Sequence, residues 1–162
     1  LLPDYAQDEG YIGALADSVQ AHWRAHGRGD HLLMTFHGIP ASYVEAGDPY
    51  LSRCQATANL LARRLELPDG AWSLSFQSRV GRAEWIRPYT EPVVCELAQR
   101  GVKTLDAICP GFAIDCLETI DEIGHECAEV FREAGGQALR YIPALNASPA
   151  HVEMLAGLLR GR

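Results

Sequence analysis

The feature that most constrains this chain is an alternation of two periods along it. Stretches with apolar residues at every third or fourth position take turns with short apolar runs bounded by Gly and Pro. Residues 8–25 put Tyr11, Ile12, Leu15, Ala16, Val19 and Trp23 on one helical face before Gly27-Arg28-Gly29-Asp30 breaks the chain. Residues 31–36 are apolar without period-two alternation, the pattern of a strand covered on both faces, and they end at His37-Gly38-Ile39-Pro40. A helix over 49–65 follows, with Pro49 in its first turn. Next come a strand at 72–76, a loop over 81–90, a helix over 91–100 stopped by Gly101, and a strand over 102–109. A helix over 115–134 ends at Gly135-Gly136, then a strand at 138–142 leads to a last helix over 151–159 capped by Ser148. One helix followed by four strand–helix pairs predicts an α/β fold, a three-layer α/β/α arrangement with a four-stranded parallel sheet and Rossmann-like topology. No repeat or low-complexity tract divides the chain, so one domain is expected.

With 162 residues, 48% of them hydrophobic, the chain can bury a sizeable core. Its net charge of -7 repels phosphate backbones and attracts cations, which argues against nucleic acid as a partner. The five cysteines include no Cys-x-x-Cys pair, so neither a disulfide framework nor a structural zinc site is expected, and a reducing cytoplasm fits. No run reaches the roughly 18 to 20 apolar residues of a transmembrane segment, and no basic-plus-apolar leader opens the chain. It begins Leu1-Leu2-Pro3-Asp4 without Met, as a fragment or a processed chain would.

In open parallel sheets, ligands bind beyond the carboxyl ends of the strands. Every unusual segment of this chain falls at such an end: 37–40, 77–82, 110–115 and 143–146. His37 terminates the first strand beside a Gly that removes bulk and three residues before a Pro, so its imidazole is a candidate to enter the crevice. A lone histidine is more often structural. Glu118, Glu122 and Glu126 stack at i, i+4 and i+8 of the helix after the third strand, a like-charge spacing that costs a free helix about 0.2–0.5 kcal/mol per pair. A bound cation would explain the spacing; a solvated acidic face is the alternative. Glu118, in the first turn, is the preferred partner of His37, and imidazole with carboxylate suits Fe(II) or Zn(II) or proton transfer. Glu122 and Glu126 lie roughly 6 and 12 Å farther along. In a regular helix Glu118 and Glu126 drift about 80° apart, so a shared face predicts one wide π-type turn between them. Asp115 and Asp121 are read as helix cap and solvated acid, and His125 as facing solvent.

The segment Gln77-Ser78-Arg79-Val80-Gly81-Arg82 carries two arginines around a Gly but lacks the pattern of a phosphate cradle, and Arg79 has an internal carboxylate as its alternative partner. Trp85 and Phe112 are candidate flat walls for a planar ligand, with core packing as the alternative. No Gly-x-Ser-x-Gly elbow and no Gly-x-Gly-x-x-Gly fingerprint occurs, which removes acyl transfer and dinucleotide binding.

Five ordered segments together resemble the ferrochelatase family. They are Phe36-His37-Gly38-Ile39-Pro40; Gly47-Asp48-Pro49-Tyr50; Phe76 to Arg82 with Glu84-Trp85 and Pro88-Tyr89-Thr90; Cys109-Pro110-Gly111-Phe112 with Asp115-Cys116-Leu117-Glu118-Thr119; and Tyr141-Ile142-Pro143 with Leu145-Asn146. The resemblance runs along essentially the whole chain but covers only the carboxyl-terminal half of a two-lobed enzyme, so an amino-terminal lobe of the same protein is expected as a partner. It implies a chelatase-like fold and insertion of ferrous iron into protoporphyrin IX to form protohaem. His37 and Glu118 match the family's site pair, acting on metal or proton, and Glu122 and Glu126 match acids of a metal or proton relay. Trp85 and Phe112 would face the porphyrin. Some members carry His where this chain has Cys116. Fe(II) is expected as substrate, with no cofactor held permanently and no iron-sulfur cluster. The rival reading is a non-catalytic metal- or tetrapyrrole-binding α/β module.

Overall fold

A computed structural model describes residues 4–161. The four strands are β1 (His31–His37), β2 (Trp72–Gln77), β3 (Thr104–Ile108) and β4 (Ala138–Ile142), in the spatial order β2-β1-β3-β4 with every neighbouring pair parallel. The helices are α1 (Glu9–His26), α2 (Ala41–Glu45), α3 (Tyr50–Arg64), α4 (Thr90–Gln99), α5 (Leu117–Ile120), α6 (Cys127–Glu133) and α7 (Pro149–Leu159). The one-turn α2 was not expected from the sequence. Between α5 and α6 lies a π turn, Glu122–Glu126, so the single helix expected over 115–134 is broken. There the N–H of Glu126 reaches the Asp121 carbonyl at 2.9 Å and the N–H of Cys127 reaches that of Glu122, each five residues back. The wide turn predicted from the glutamate spacing is present.

Helices cover the sheet on both faces, as the apolar runs require. On β1, Leu32, Met34 and Phe36 pack with Leu15 and Val19 of α1, Leu61 of α3 and Met154 of α7. Leu33 points the other way, into Val94 and Leu97 of α4 and Phe131 of α6. Burial of each such side chain is worth about 1.5–3 kcal/mol. The ends of α1 and α7 are closed as their sequences suggest: Asp8 accepts from the Tyr11 N–H at 3.0 Å, and Ser148 accepts from the His151 N–H.

At the amino edge of the sheet, the buried Asp106 carboxylate fixes α1 to β3 and β4. It accepts from Arg140 Nε at 2.7 Å, Trp23 Nε1 at 2.7 Å and the Gly29 N–H at 2.9 Å. A Cβ at Gly29 would lie 2.7 Å from the same carboxylate, so only glycine fits there.

The order β2-β1-β3-β4 reverses direction at β1, because the chain runs outward to β2 and then crosses back to β3. The switch point therefore lies between the carboxyl ends of β1 and β3. His37 closes the first of these strands and Cys109-Pro110-Gly111 follows the second.

Candidate active site

His37 pairs in register with Gln77 across β1 and β2, at the carboxyl edge of the sheet. Its Nδ1 lies 2.6 Å from the Gly38 carbonyl oxygen. A carbonyl only accepts, so Nδ1 carries the proton and Nε2 keeps a free lone pair. The backbone below is held by the Tyr50 hydroxyl, which donates to the His37 carbonyl at 2.8 Å.

Two aromatic rings flank the imidazole. Trp85 and Phe112 each have centroids 6.2 Å from His37, at interplanar angles of 50° and 48°. Trp85 is brought there by the loop before α4, which pairs with the strand exit: the Ala41 N–H donates to the Glu84 carbonyl at 2.8 Å and the Ile86 N–H to that of Ile39 at 3.0 Å. Gly38 makes this approach possible, since a Cβ there would lie 3.0 Å from the Trp85 ring and 3.1 Å from the Gln77 carbonyl oxygen. The rings are half-buried against the histidine.

Glu118 sits in the first turn of α5 and faces the same cleft as His37, a cavity of about 440 Å³ that also meets Ser78, Leu117, Glu122 and Glu126. Hydrogen bonds from the Cys116 thiol and from its own backbone N–H hold the Glu118 carboxyl below the usual carboxylate range. The cleft therefore offers a free imidazole nitrogen and an ionised carboxylate. Among the described residues no three His, Cys, Asp or Glu side chains gather to enclose a metal ion.

The other glutamates are held differently. Glu122 accepts from the Ser78 N–H at 2.7 Å with one oxygen and from the Ser78 hydroxyl at 2.6 Å with the other. Glu126 is exposed and lines the cleft farther along. The buried Gln77 side chain donates to the Glu118 carbonyl and accepts from Thr35 Oγ1 at 3.0 Å, tying α5 to a Thr35–Thr90–Ser75 hydroxyl network.

One assignment made from the sequence is corrected, and one alternative left open there is not met. Asp115 does not cap α5, whose N-cap is Cys116. Instead Asp115 accepts from the Tyr141 hydroxyl at 2.6 Å, Thr119 Oγ1 at 3.1 Å, the Ala144 N–H at 3.1 Å and Asn146 Nδ2 at 2.8 Å, joining the start of α5 to the end of β4. Arg79 has no carboxylate within ion-pair distance among the described residues, and its guanidinium lies 4.2 Å from the centroid of the Tyr89 ring. Asp121 and His125 are exposed, as expected.

Sequence reasoning missed the apolar rim. Val80 and Leu117 line the cleft with 72% and 77% of their surfaces exposed. Their positions beside Arg79 and Glu118 were the available signal.

A family model described as Ferrochelatase matches residues 1–162. The chain belongs to the ferrochelatase family. Ferrochelatases similar to it include one from Thioalkalivibrio sulfidiphilus, 53% identical over 96% of this chain and 42% of that protein. Those of Methylococcus capsulatus and Aeromonas hydrophila are each 51% identical, over 96% and 98% of this chain and 48% and 49% of their own lengths. The chain thus spans less than half the length of these ferrochelatases. Its fold is shared with SirB from Bacillus subtilis, solved with Fe3+, at a TM-score of 0.61 and 15% identity over 91% of this chain and 53% of that one. It is shared as well with CbiX, described as the terminal enzyme of sirohaem biosynthesis in denitrifying bacteria, at 0.60 and 18% over 98% and 60%. At these identities the likeness shows the fold alone, and it agrees with the parallel-sheet α/β architecture expected from the sequence.

Proposed function

We propose that this chain is the carboxyl-terminal lobe of a ferrochelatase that inserts ferrous iron into protoporphyrin IX, with an amino-terminal lobe of the same protein closing the cleft. The observation that carries the reading is the placing of His37 and Glu118 on the lining of one open cleft in a chain matched by the family along its whole length. The reaction exchanges two pyrrole N–H protons for Fe(II), giving protohaem and two protons. One member of the pair takes a pyrrole proton while the other meets the incoming metal. Trp85 and Phe112, with Val80 and Leu117, supply the apolar wall for the macrocycle, and binding that favours a bent porphyrin exposes its nitrogen lone pairs. Glu122 and Glu126 lead metal in or protons out.

Iron enters as substrate, and the reading includes neither a permanently bound cofactor nor an iron-sulfur cluster. Among the described residues no helix is long and apolar enough to cross a membrane; a cytoplasmic location without a transmembrane segment or a nucleic-acid partner fits the acidic, disulfide-free chain. The test is loss of protoporphyrin IX fluorescence with Fe(II) or Zn2+ in a protein carrying both lobes. Turnover is expected, abolished by His37→Ala with the far-ultraviolet spectrum unchanged. Stoichiometric quenching without turnover would favour a binding module, and full activity in His37→Ala would remove that residue from the mechanism.

A further inference from the structure

Gln77, the last residue of β2, is bonded toward both members of the candidate pair. Its backbone pairs in register with His37, and its carbonyl oxygen accepts from the Gly38 N–H at 2.8 Å. Its side chain donates to the Glu118 carbonyl in the first turn of α5. A carbonyl only accepts, so the NH2 end of the amide faces Glu118. The oxygen end then faces Thr35 Oγ1 at 3.0 Å and the Cys109 thiol at 3.5 Å. With the Thr35 proton spent on Gln77, the hydroxyls behind it have one consistent order: Ser75 donates to Thr90 at 2.9 Å, and Thr90 to Thr35 at 2.8 Å. Gln77 is only 3% exposed, so bulk water does not compete for the amide. Its orientation is therefore set from Thr35, on the strand that carries His37.

We infer that Gln77 is a positioning residue: its backbone holds the strand exit at His37, its side chain holds the backbone of Glu118, and together they set the spacing of the two groups. The inference rests on the reading of His37 and Glu118 as the acting pair. The segment that needs holding is α5, which has four residues and is parted from α6 by the π turn. So short a helix gains little from its own hydrogen bonds. Leu117 and Ile120 are exposed and give it little packing. Asp115, through Thr119, ties this turn toward the end of β4, and Gln77 supplies the tie toward His37. A glutamine present only to fill the core would leave the cleft unchanged when replaced by a side chain of the same shape.

The experiment is calorimetric titration of the 162-residue chain with Zn2+, comparing Gln77→Met, Gln77→Asn, Glu118→Gln and the double variant Gln77→Met with Glu118→Gln. Methionine keeps the length of the side chain without its hydrogen bonds. Asparagine keeps an amide for Thr35 but is one methylene too short to reach Glu118 as well, so it decides the matter if methionine disturbs the core. A circular dichroism melt checks that each variant is folded. The inference predicts Zn2+ binding weakened about two- to tenfold in both Gln77 variants, the worth of one neutral hydrogen bond. Binding is weakened in Glu118→Gln too, with no further loss in the double variant, because Gln77 acts through Glu118. A purely structural glutamine lowers the melting temperature and leaves the affinity of the folded chain at the wild-type value, or lowers it by the same factor with and without the Glu118 carboxylate. Either result, together with weaker binding in Glu118→Gln, overturns the positioning role and leaves the pair standing. Zn2+ binding unchanged in Glu118→Gln overturns the pair, and the positioning role with it.

Discussion

Replacing Asp115 by Ala tests how the site is seated. The carboxylate receives four hydrogen bonds that join α5 to the end of β4, and it stands three residues before Glu118. Thr119, one of the donors, is fully buried, whereas the Asn146 contact is exposed and counts for little. A hydrogen bond to a charged acceptor contributes about 1.5–3 kcal/mol, and partial exposure moves each toward the low end, so the loss comes to about 2–4 kcal/mol. For a chain of this size that is a fall in Tm of roughly 4–16 °C. Urea unfolding at pH 7, with parallel thermal melts, measures it.

The pH dependence supplies the sign. Burial pushes the Asp115 carboxyl up, but the hydrogen bonds from Tyr141, Asn146, the Ala144 N–H and Thr119 outweigh it and hold the group below its usual range. A carboxyl lowered in the folded state contributes its full stability above the unfolded value of about 3.9 and loses it as the pH falls through the folded value. The gap between wild type and Asp115→Ala should therefore be widest near neutrality and narrow below about pH 4. A loss under about 1 kcal/mol at pH 7, or a gap that stays constant down to pH 3, would refute the reasoning.

At the opposite edge of the sheet, Asp106→Ala leaves the Arg140 guanidinium, 24% exposed, without its carboxylate, and should cost about 3–5 kcal/mol in the same unfolding assay. Cys116→Ala removes the thiol hydrogen bond that favours ionised Glu118, so the acid limb of a Zn2+-binding pH profile should move to higher pH, while Cys116→Ser restores it. Gly38→Ala should drive the Trp85 ring off His37, read as a changed tryptophan emission maximum, because the new Cβ meets the ring at 3.0 Å.

The parallel sheet was legible because β1 is buried on both faces, and such a strand must be apolar at successive positions. The π turn was legible because three glutamates at four-residue steps share a face only if the helix widens. His37 and Glu118 were singled out as candidates from their places after β1 and β3, and both line one cleft. The work of Asp115 was hidden, because its partners Tyr141, Ala144 and Asn146 come from the far side of a strand, 26 to 31 residues away. Ser78 was hidden as well: a left-handed φ at a serine arises from tertiary contacts and leaves no mark in local composition. The docking of Trp85 beside His37 depends on backbone bonds between residues 39–41 and 84–86, which carry no side-chain signature.

The central claim is that His37 presents Nε2, with Glu118 beside it, to a metal in one cleft. Nitrogen-15 NMR of the imidazoles during Zn2+ titration tests it most directly. The His37 Nε2 resonance should move on metal addition, and the movement should be lost in Glu118→Gln. A His37 signal that stays fixed while the chain binds Zn2+, or one that moves equally in Glu118→Gln, would contradict the account.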